Sequence, residues 1–199
     1  MTIYFYGLNT IRLQDGGVSI LLDPAEETKS SLRTQNDLIL FSAKNEDLKK
    51  DNSFMIDAPG EYEAKGIFVY AFNPEKEPDK LAYVVEMEGM KMAHLAHLKV
   101  TDFSEKDLER LENADILLIP VGGEDGYTAK QAMSVINQFE PRMVIPINYA
   151  TTGIKAGLES LETFKKEAGA QFETVDKLKV SKKDLPEETT RFIIIEPVK

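Results

Sequence analysis

The chain has 199 residues, 42% of them hydrophobic and 29% charged, with no cysteine and a formal net charge of −10. That length buries a globular core without staples, and the missing thiols exclude disulfides, thiolate zinc sites, iron–sulfur ligation and cysteine nucleophiles together. An acidic surface repels phosphate backbones and anionic lipid, and the basic pairs Lys49-Lys50 and Lys182-Lys183 are short and far apart in sequence, so neither nucleic acid nor membrane is an expected partner.

The opening Met1-Thr2-Ile3-Tyr4 has no basic or long apolar leader, and no apolar run approaches the ~20 residues of a bilayer span. A cytoplasmic location is expected. In chain order, Ile3 to Tyr6 and Ile11 to Leu13 read as strands; Gln14-Asp15-Gly16-Gly17 supplies a turn and Val18 to Leu22 the return. Leu38 to Phe41 is a continuous apolar run, the mark of a strand covered on both faces. Phe54 to Ile56, Ile67 to Phe72, Leu81 to Glu86 and Met90 to Leu95 continue the pattern, with Glu88-Gly89 turning between the last two. The stretch Asn73 to Asp79, with two prolines, reads as a flexible excursion between strands.

The second half changes period. Ser104 with Asp107 starts a helix that runs through Leu108 and Leu111 to Asn113. Ile116 to Pro120 is a buried strand. Thr128 with Gln131 forms a capping box for a helix to about Phe139, stopped by Pro141. Met143 to Ile147 is another strand, Gly157 to about Ala168 a third helix ended by Gly169, and Arg191 to Glu196 a last strand. Antiparallel strands followed by βαβ-like units imply an α/β (α+β) fold with two sheets and helices outside, organised as one domain over residues 1–199.

Several stretches together resemble the metallo-β-lactamase-fold hydrolases. Leu21-Leu22-Asp23-Pro24 is similar to that family's I-D-P element, and Asn36 to Ser42 to the strand that delivers its H-x-H-x-D-H motif. Ala58-Pro59-Gly60-Glu61-Tyr62-Glu63, His94-Leu95, Asp115 to Gly123 and Val144 to Ile147 follow in the family's order. The likeness is strongest to a bacterial branch of small Zn-dependent hydrolases with a similar tail, here Lys177 to Glu188, although that branch has a longer glycine-containing loop where Asn73 to Asp79 lies here. The resemblance covers Ile3 to Pro197 and implies a four-layer αββα sandwich with metals at the edge between the sheets.

In that family two divalent cations, usually zinc, make hydroxide from a bound water and polarise the bond to be cut. Here the motif reads Ala43-Lys44-Asn45-Glu46-Asp47-Leu48. The resemblance puts Ala43, Asn45 and Leu48 at its histidine positions, and only Asp47 keeps a ligand type. Glu61 stands where the family has histidine after Pro-Gly, His97 where it has a bridging aspartate, and Asn148 where it has histidine before tyrosine. The G-H-S motif near the site has become Gly7-Leu8-Asn9. The seven positions Ala43, Asn45, Asp47, Leu48, Glu61, His97 and Asn148 are thus expected to form a degenerate metal-site pocket with no catalytic residue and no cofactor.

Plainer readings stand beside these. His94 reads as a hydrogen-bonded histidine at a strand end, and Asp47 equally as a relic ligand or as a helix-start acid. Gly122-Gly123 lacks the Lys-Ser/Thr of a P-loop and reads as a turn. Ser42 has no G-x-S-x-G elbow. Tyr4, Tyr6, Phe68, Tyr70 and Phe72, at period-two spacing, read as sheet packing. The expected function is an inactive pseudo-hydrolase that binds an unidentified small molecule or protein, or works within a homo- or hetero-oligomer. The alternative is a hydrolase with a rearranged metal site on Asp47, Glu61 and His97.

Overall fold

The computed structural model describes residues 1–33, 35–43, 53–152 and 157–198. The chain begins with β1 (Thr2–Gly7), β2 (Thr10–Asp15) and β3 (Val18–Leu22), followed by 3-10 turns over Glu26–Arg33. Short strands β4 (Leu38–Leu40) and β5 (Phe54–Ile56) lead to β6 (Gly60–Ala64), β7 (Ile67–Phe72), β8 (Ala82–Met87) and β9 (Met90–His94). Helices then alternate with strands: α1 (Glu105–Leu111), β10 (Ile116–Pro120), α2 (Ala129–Phe139), β11 (Met143–Ile147) and α3 (Leu161–Ala168). The chain closes with β12 (Phe172–Val175), β13 (Leu178–Lys179) and β14 (Arg191–Ile195).

These strands make two mixed sheets. The first has the order β13-β1-β2-β3-β4-β5 and the second β12-β14-β11-β10-β9-β8-β7-β6. In the first, β1 to β3 are antiparallel, while β3, β4 and β5 run parallel. In the second, β6 to β9 form an antiparallel meander and β9, β10, β11, β14 and β12 are parallel. Parallel pairing requires each strand to leave the sheet and return, which is why the helices fall in this half. One apolar cluster joins both sheets: Ile3, Phe5, Leu13 and Leu22 from the first, Met92, Leu118 and Ile145 from the second. Leu21, Ile39 and Phe41 form a smaller cluster with Met55. Residues one apart in β3 face opposite ways, so Ile20, Leu21 and Leu22 are all buried, as in a strand covered on both faces.

The helix ends follow their capping chemistry. Ser104 Oγ accepts from the Asp107 backbone N–H at 3.2 Å, and Thr128 and Gln131 cap one another reciprocally. Helix α3 starts at Leu161, four residues after the expected Gly157, because Gly157 has a left-handed φ of 66° and cannot open a right-handed helix. The excursion Asn73 to Asp79 is tied down. Glu77 Oε2 accepts from the Lys99 and Val100 backbone N–H groups at 2.8 and 2.7 Å, and buried Asp107 accepts from the Glu75 N–H at 3.0 Å. Its prolines mark a bend, and its hydrogen bonds anchor it to α1.

Candidate functional site

The ends of strands from both sheets converge on one cleft of about 340 Å³. Its wall combines Leu8, Asp23, Pro24, Phe41 and Ala43 from the first sheet's connections with His97, Glu124, Asp125 and Asn148 from the second's. The Asn148 N–H donates to the Leu8 carbonyl at 2.7 Å and fastens the two halves together. Among the described residues nine non-glycine positions have positive φ, and five of them, Leu8, Asp23, His97, Glu124 and Asn148, line this cleft. Left-handed backbone is unfavourable for such side chains, Leu8 above all, and persists only where surrounding contacts impose it. Leu8, Asp23 and Asn148 directly follow a strand, and His97 and Glu124 lie three and four residues beyond one, in the turns by which the chain leaves its sheet.

Asp23 is the best-connected group. Its Oδ1 accepts from the Ser42 backbone N–H at 2.6 Å, and its Oδ2 accepts from Ser42 Oγ and His94 Nε2, both at 2.7 Å. Its own carbonyl accepts from Thr10 Oγ1 at 2.6 Å. Burial would raise the Asp23 pKa, but the His94 hydrogen bond, the imidazoles of His94 and His97, and Ser42 outweigh it and hold the carboxyl below its ordinary value. His94 is fully buried and, as its strand-end position suggests, hydrogen-bonded.

His97 sits in the cleft wall. Its Nδ1 is paired with the Asp125 carboxylate, and its Nε2 lies 3.2 Å from Asn9 Nδ2. Asp125 in turn lies 3.8 Å from Lys80 Nζ, and its carbonyl accepts from Asn148 Nδ2 at 3.2 Å. Desolvation lowers the His97 pKa, but the Asp125 hydrogen bond and the charges of Asp23 and Asp125 overcome it, so the net shift is upward. The partner carboxyl of Asp125 is held low, first by the same hydrogen bond. The histidine's contribution is therefore full below its unfolded value of about 6.5 and lost as pH rises through the higher folded one. That of Asp125 is full above about 3.9 and lost as pH falls through its lower folded value. A proton NMR titration of this chain, which has two histidines, should show a midpoint above about 6.5 for the resonance that disappears in His97→Gln. Asp125→Asn should bring that midpoint down. A His97 midpoint that does not move with Asp125 would show that the contact carries no charge coupling.

Of the residues expected to cluster, Ala43, His97 and Asn148 do line the cleft. Glu61 is not brought to them: it is exposed on β6 and lines a separate groove with Phe68, Tyr70 and Arg110. The Pro-Gly pair before it places Glu61 inside a strand paired with β7, where its side chain leaves from the outer face. Asn45, Asp47 and Leu48 lie outside the described residues. Sequence reasoning missed Asp125, whose only signal was an acidic pair, Glu124-Asp125, between glycines after a buried strand. It noted Asn9 and Asp23 as motif positions without assigning them to the cleft.

A zinc centre needs three or four imidazole, thiolate or carboxylate donors converging on one point. Among the described residues no group of three His, Cys, Asp or Glu side chains is placed to hold a metal ion. Asp23 has both oxygens engaged, and His97 and Asp125 are committed to each other. The described donors do not fit a di-metal centre.

Two mixed sheets sharing a core, with a cleft at converging strand ends, define the metallo-β-lactamase class of fold. The chain belongs to that superfamily: the family model of the beta-lactamase superfamily domain matches residues 2–148. It is 26% identical over 195 residues to a UPF0173 protein of Pyrococcus abyssi, covering 84% of this chain and 90% of that one. A UPF0173 metal-dependent hydrolase of Natranaerobius thermophilus is 24% identical over 189 residues, covering 76% and 84% of the two chains. Among solved structures, a Thermotoga maritima protein assigned to the Zn-dependent hydrolases of the metallo-beta-lactamase superfamily superposes with a TM-score of 0.81 at 25% identity, covering 98% and 99%. No helix among the described residues is long and apolar enough to cross a membrane.

Proposed function

We propose that this chain is a metallo-β-lactamase-fold protein that works by binding, through its strand-end cleft, without a di-metal centre and without hydrolysis. The observation that carries this reading is the pairing of the cleft's own acids and imidazoles. A group that activates water or grips a metal must keep a lone pair free for it. Asp23 spends its oxygens on Ser42 and His94, His97 spends its nitrogens on Asp125 and Asn9, and Ala43 and Asn148 stand where the family resemblance calls for imidazole. The relatives' description as metal-dependent hydrolases belongs to those proteins, and the scaffold is what this chain shares with them. Glu61, one of three donors in the rearranged-site alternative, lies in another groove and weakens that reading.

The test is metal analysis of protein purified without chelators, paired with assays on model esters and phosphodiesters. The expected result is zinc, iron and manganese each far below one equivalent per chain, with turnover at the buffer rate, and no rise in either after incubation with those ions. One or more equivalents of tightly held metal together with hydrolysis would overturn the proposal. Loss of both metal and hydrolysis in a His97→Ala chain would reinstate the rearranged site.

A further inference from the structure

We propose that the open outer face of β6–β8 is a docking surface for a helix of a partner protein that presents arginine side chains. The face is built by strand alternation. Phe68, Tyr70 and Phe72 project from the same side of β7, and the register extends them into cross-strand rows: Glu63, Phe68, Glu86 and Lys91 in one, Glu61, Tyr70 and Val84 in the next. The aromatic stripe is buried at one end and bare at the other. Phe72 is 2% exposed and Phe68 53%, one of three large exposed hydrophobic residues among those described.

The covered end shows what the bare end lacks. Helix α1 lies over it and sets the Arg110 guanidinium 4.9 Å from the Phe72 ring centroid and 5.9 Å from that of Tyr70, with Asp107 Oδ1 accepting from Arg110 at 3.0 Å. A guanidinium stacked on an aromatic face and steadied by a carboxylate is a favourable pairing for both partners. At the bare end no guanidinium stacks on Phe68, and Lys91, opposite Glu86, is the one cation in these rows against three carboxylates. Glu61, Glu63 and Glu86 are exposed, and none makes an ion pair among the described residues. With Phe68, Tyr70, Val84 and Arg110, Glu61 and Glu86 line a groove of about 300 Å³. Helix α1 has seven residues and reaches the groove through Arg110 alone.

Charge selects the occupant. A second copy would bring to this face the same excess, three carboxylates against Lys91, in a chain already at −10. A nucleic-acid backbone is repelled by the same carboxylates. A basic helix is attracted, and it would repeat along the stripe the contact that α1 already makes.

The probe is a fluorescein-labelled synthetic amphipathic helix, leucine on one face flanked by arginines, titrated by anisotropy into the full-length chain; its Arg→Glu analogue is the control. Saturable binding of the arginine peptide is expected. It should weaken about tenfold in Phe68→Ser and in the double variant Glu63→Lys/Glu86→Lys, and stay unchanged in Glu187→Lys/Glu188→Lys, which removes the same charge from an exposed segment elsewhere. Backbone amide NMR shifts should fall on β6 to β8. All substituted side chains are exposed, so folding is preserved. Equal weakening by the two charge-reversing pairs, no saturable binding, competition by a single-stranded oligonucleotide at the same amides, or self-association abolished by Phe68→Ser without peptide binding would each overturn the proposal.

Discussion

Replacing Asp23 with alanine should cost about 3–5 kcal/mol of unfolding free energy, the range for removing one member of a buried charged network. The carboxylate takes hydrogen bonds from the Ser42 N–H, Ser42 Oγ and His94 Nε2. Ser42 and His94 are buried, at 1% and 0% exposure, so the alanine leaves three buried donors without their acceptor. The loss reaches across the molecule, because Ser42 follows β4 in the first sheet and His94 ends β9 in the second. Asp23→Asn should fall between wild type and alanine. Asparagine tolerates the left-handed φ of 44° but offers one acceptor oxygen in place of two. Urea unfolding at neutral pH measures all three.

Acid pH should shrink this effect. The Asp23 pKa is depressed in the fold, so its contribution is complete above the unfolded carboxylate value of about 3.9 and lost as pH falls through the lower folded value. The stability gap between wild type and Asp23→Ala should therefore narrow on acidification. A gap below about 1 kcal/mol at neutral pH, or one that does not narrow in acid, would show that the three hydrogen bonds contribute little net stability.

The second large effect is expected at Gly122. A Cβ there would sit 2.3 Å from the Asn148 carbonyl oxygen and 3.1 Å from both the Leu158 Cβ and the Tyr149 Cα. Two of these three contacts are backbone, so no rotamer change relieves them. Gly122→Ala should destabilise by about 2–3 kcal/mol, near the upper end for overpacking a tight site. It should also push the Asn148 turn away from the β10 end. Gly122 and Asn148 follow adjacent parallel strands, and Asn148 is tied to Leu8, so the displacement is transmitted to the cleft. Amide NMR shifts of Leu8, His97 and Asp125 should change with stability. Wild-type stability in this variant would mean that the loop after β10 relaxes freely, contrary to the bond from the Glu159 N–H to the Gly122 carbonyl at 2.9 Å.

These two positions also show where sequence legibility ends. Asp23-Pro24 and Gly122-Gly123 were visible as motif fragments with framework roles, and the turn assigned to the glycines holds, with the Gly123 N–H donating to the Tyr127 carbonyl at 2.8 Å. What the sequence could not show is which atoms those fragments face. Ser42 and His94 lie 19 and 71 residues from Asp23, and no local pattern encodes a meeting at that separation. The short strands β6, β12 and β13 escaped as separate strands for a related reason. Strand β6 alternates but over only Gly60 to Ala64, and the Phe-Glu-Thr-Val of β12 and the two residues of β13 are shorter still; all three extend by pairing with β7, β14 and β1.

By itself the sequence determined the two-sheet α/β architecture, the helix starts at Ser104 and Thr128, and the superfamily. Each rests on period, capping chemistry or ordered motifs, which are local and survive in a linear string. Only the tertiary structure decided which chemistry-bearing residues meet. It joined His97 to Asp125 and Asp23 to His94, drew Asn148 and Ala43 into one cleft, and left Glu61 on the far face of β6. The physical reason is that strand pairing fixes side-chain direction to one face or the other. Residues equally plausible as neighbours by motif order are therefore separated or united by register, which a sequence carries only through its long-range contacts.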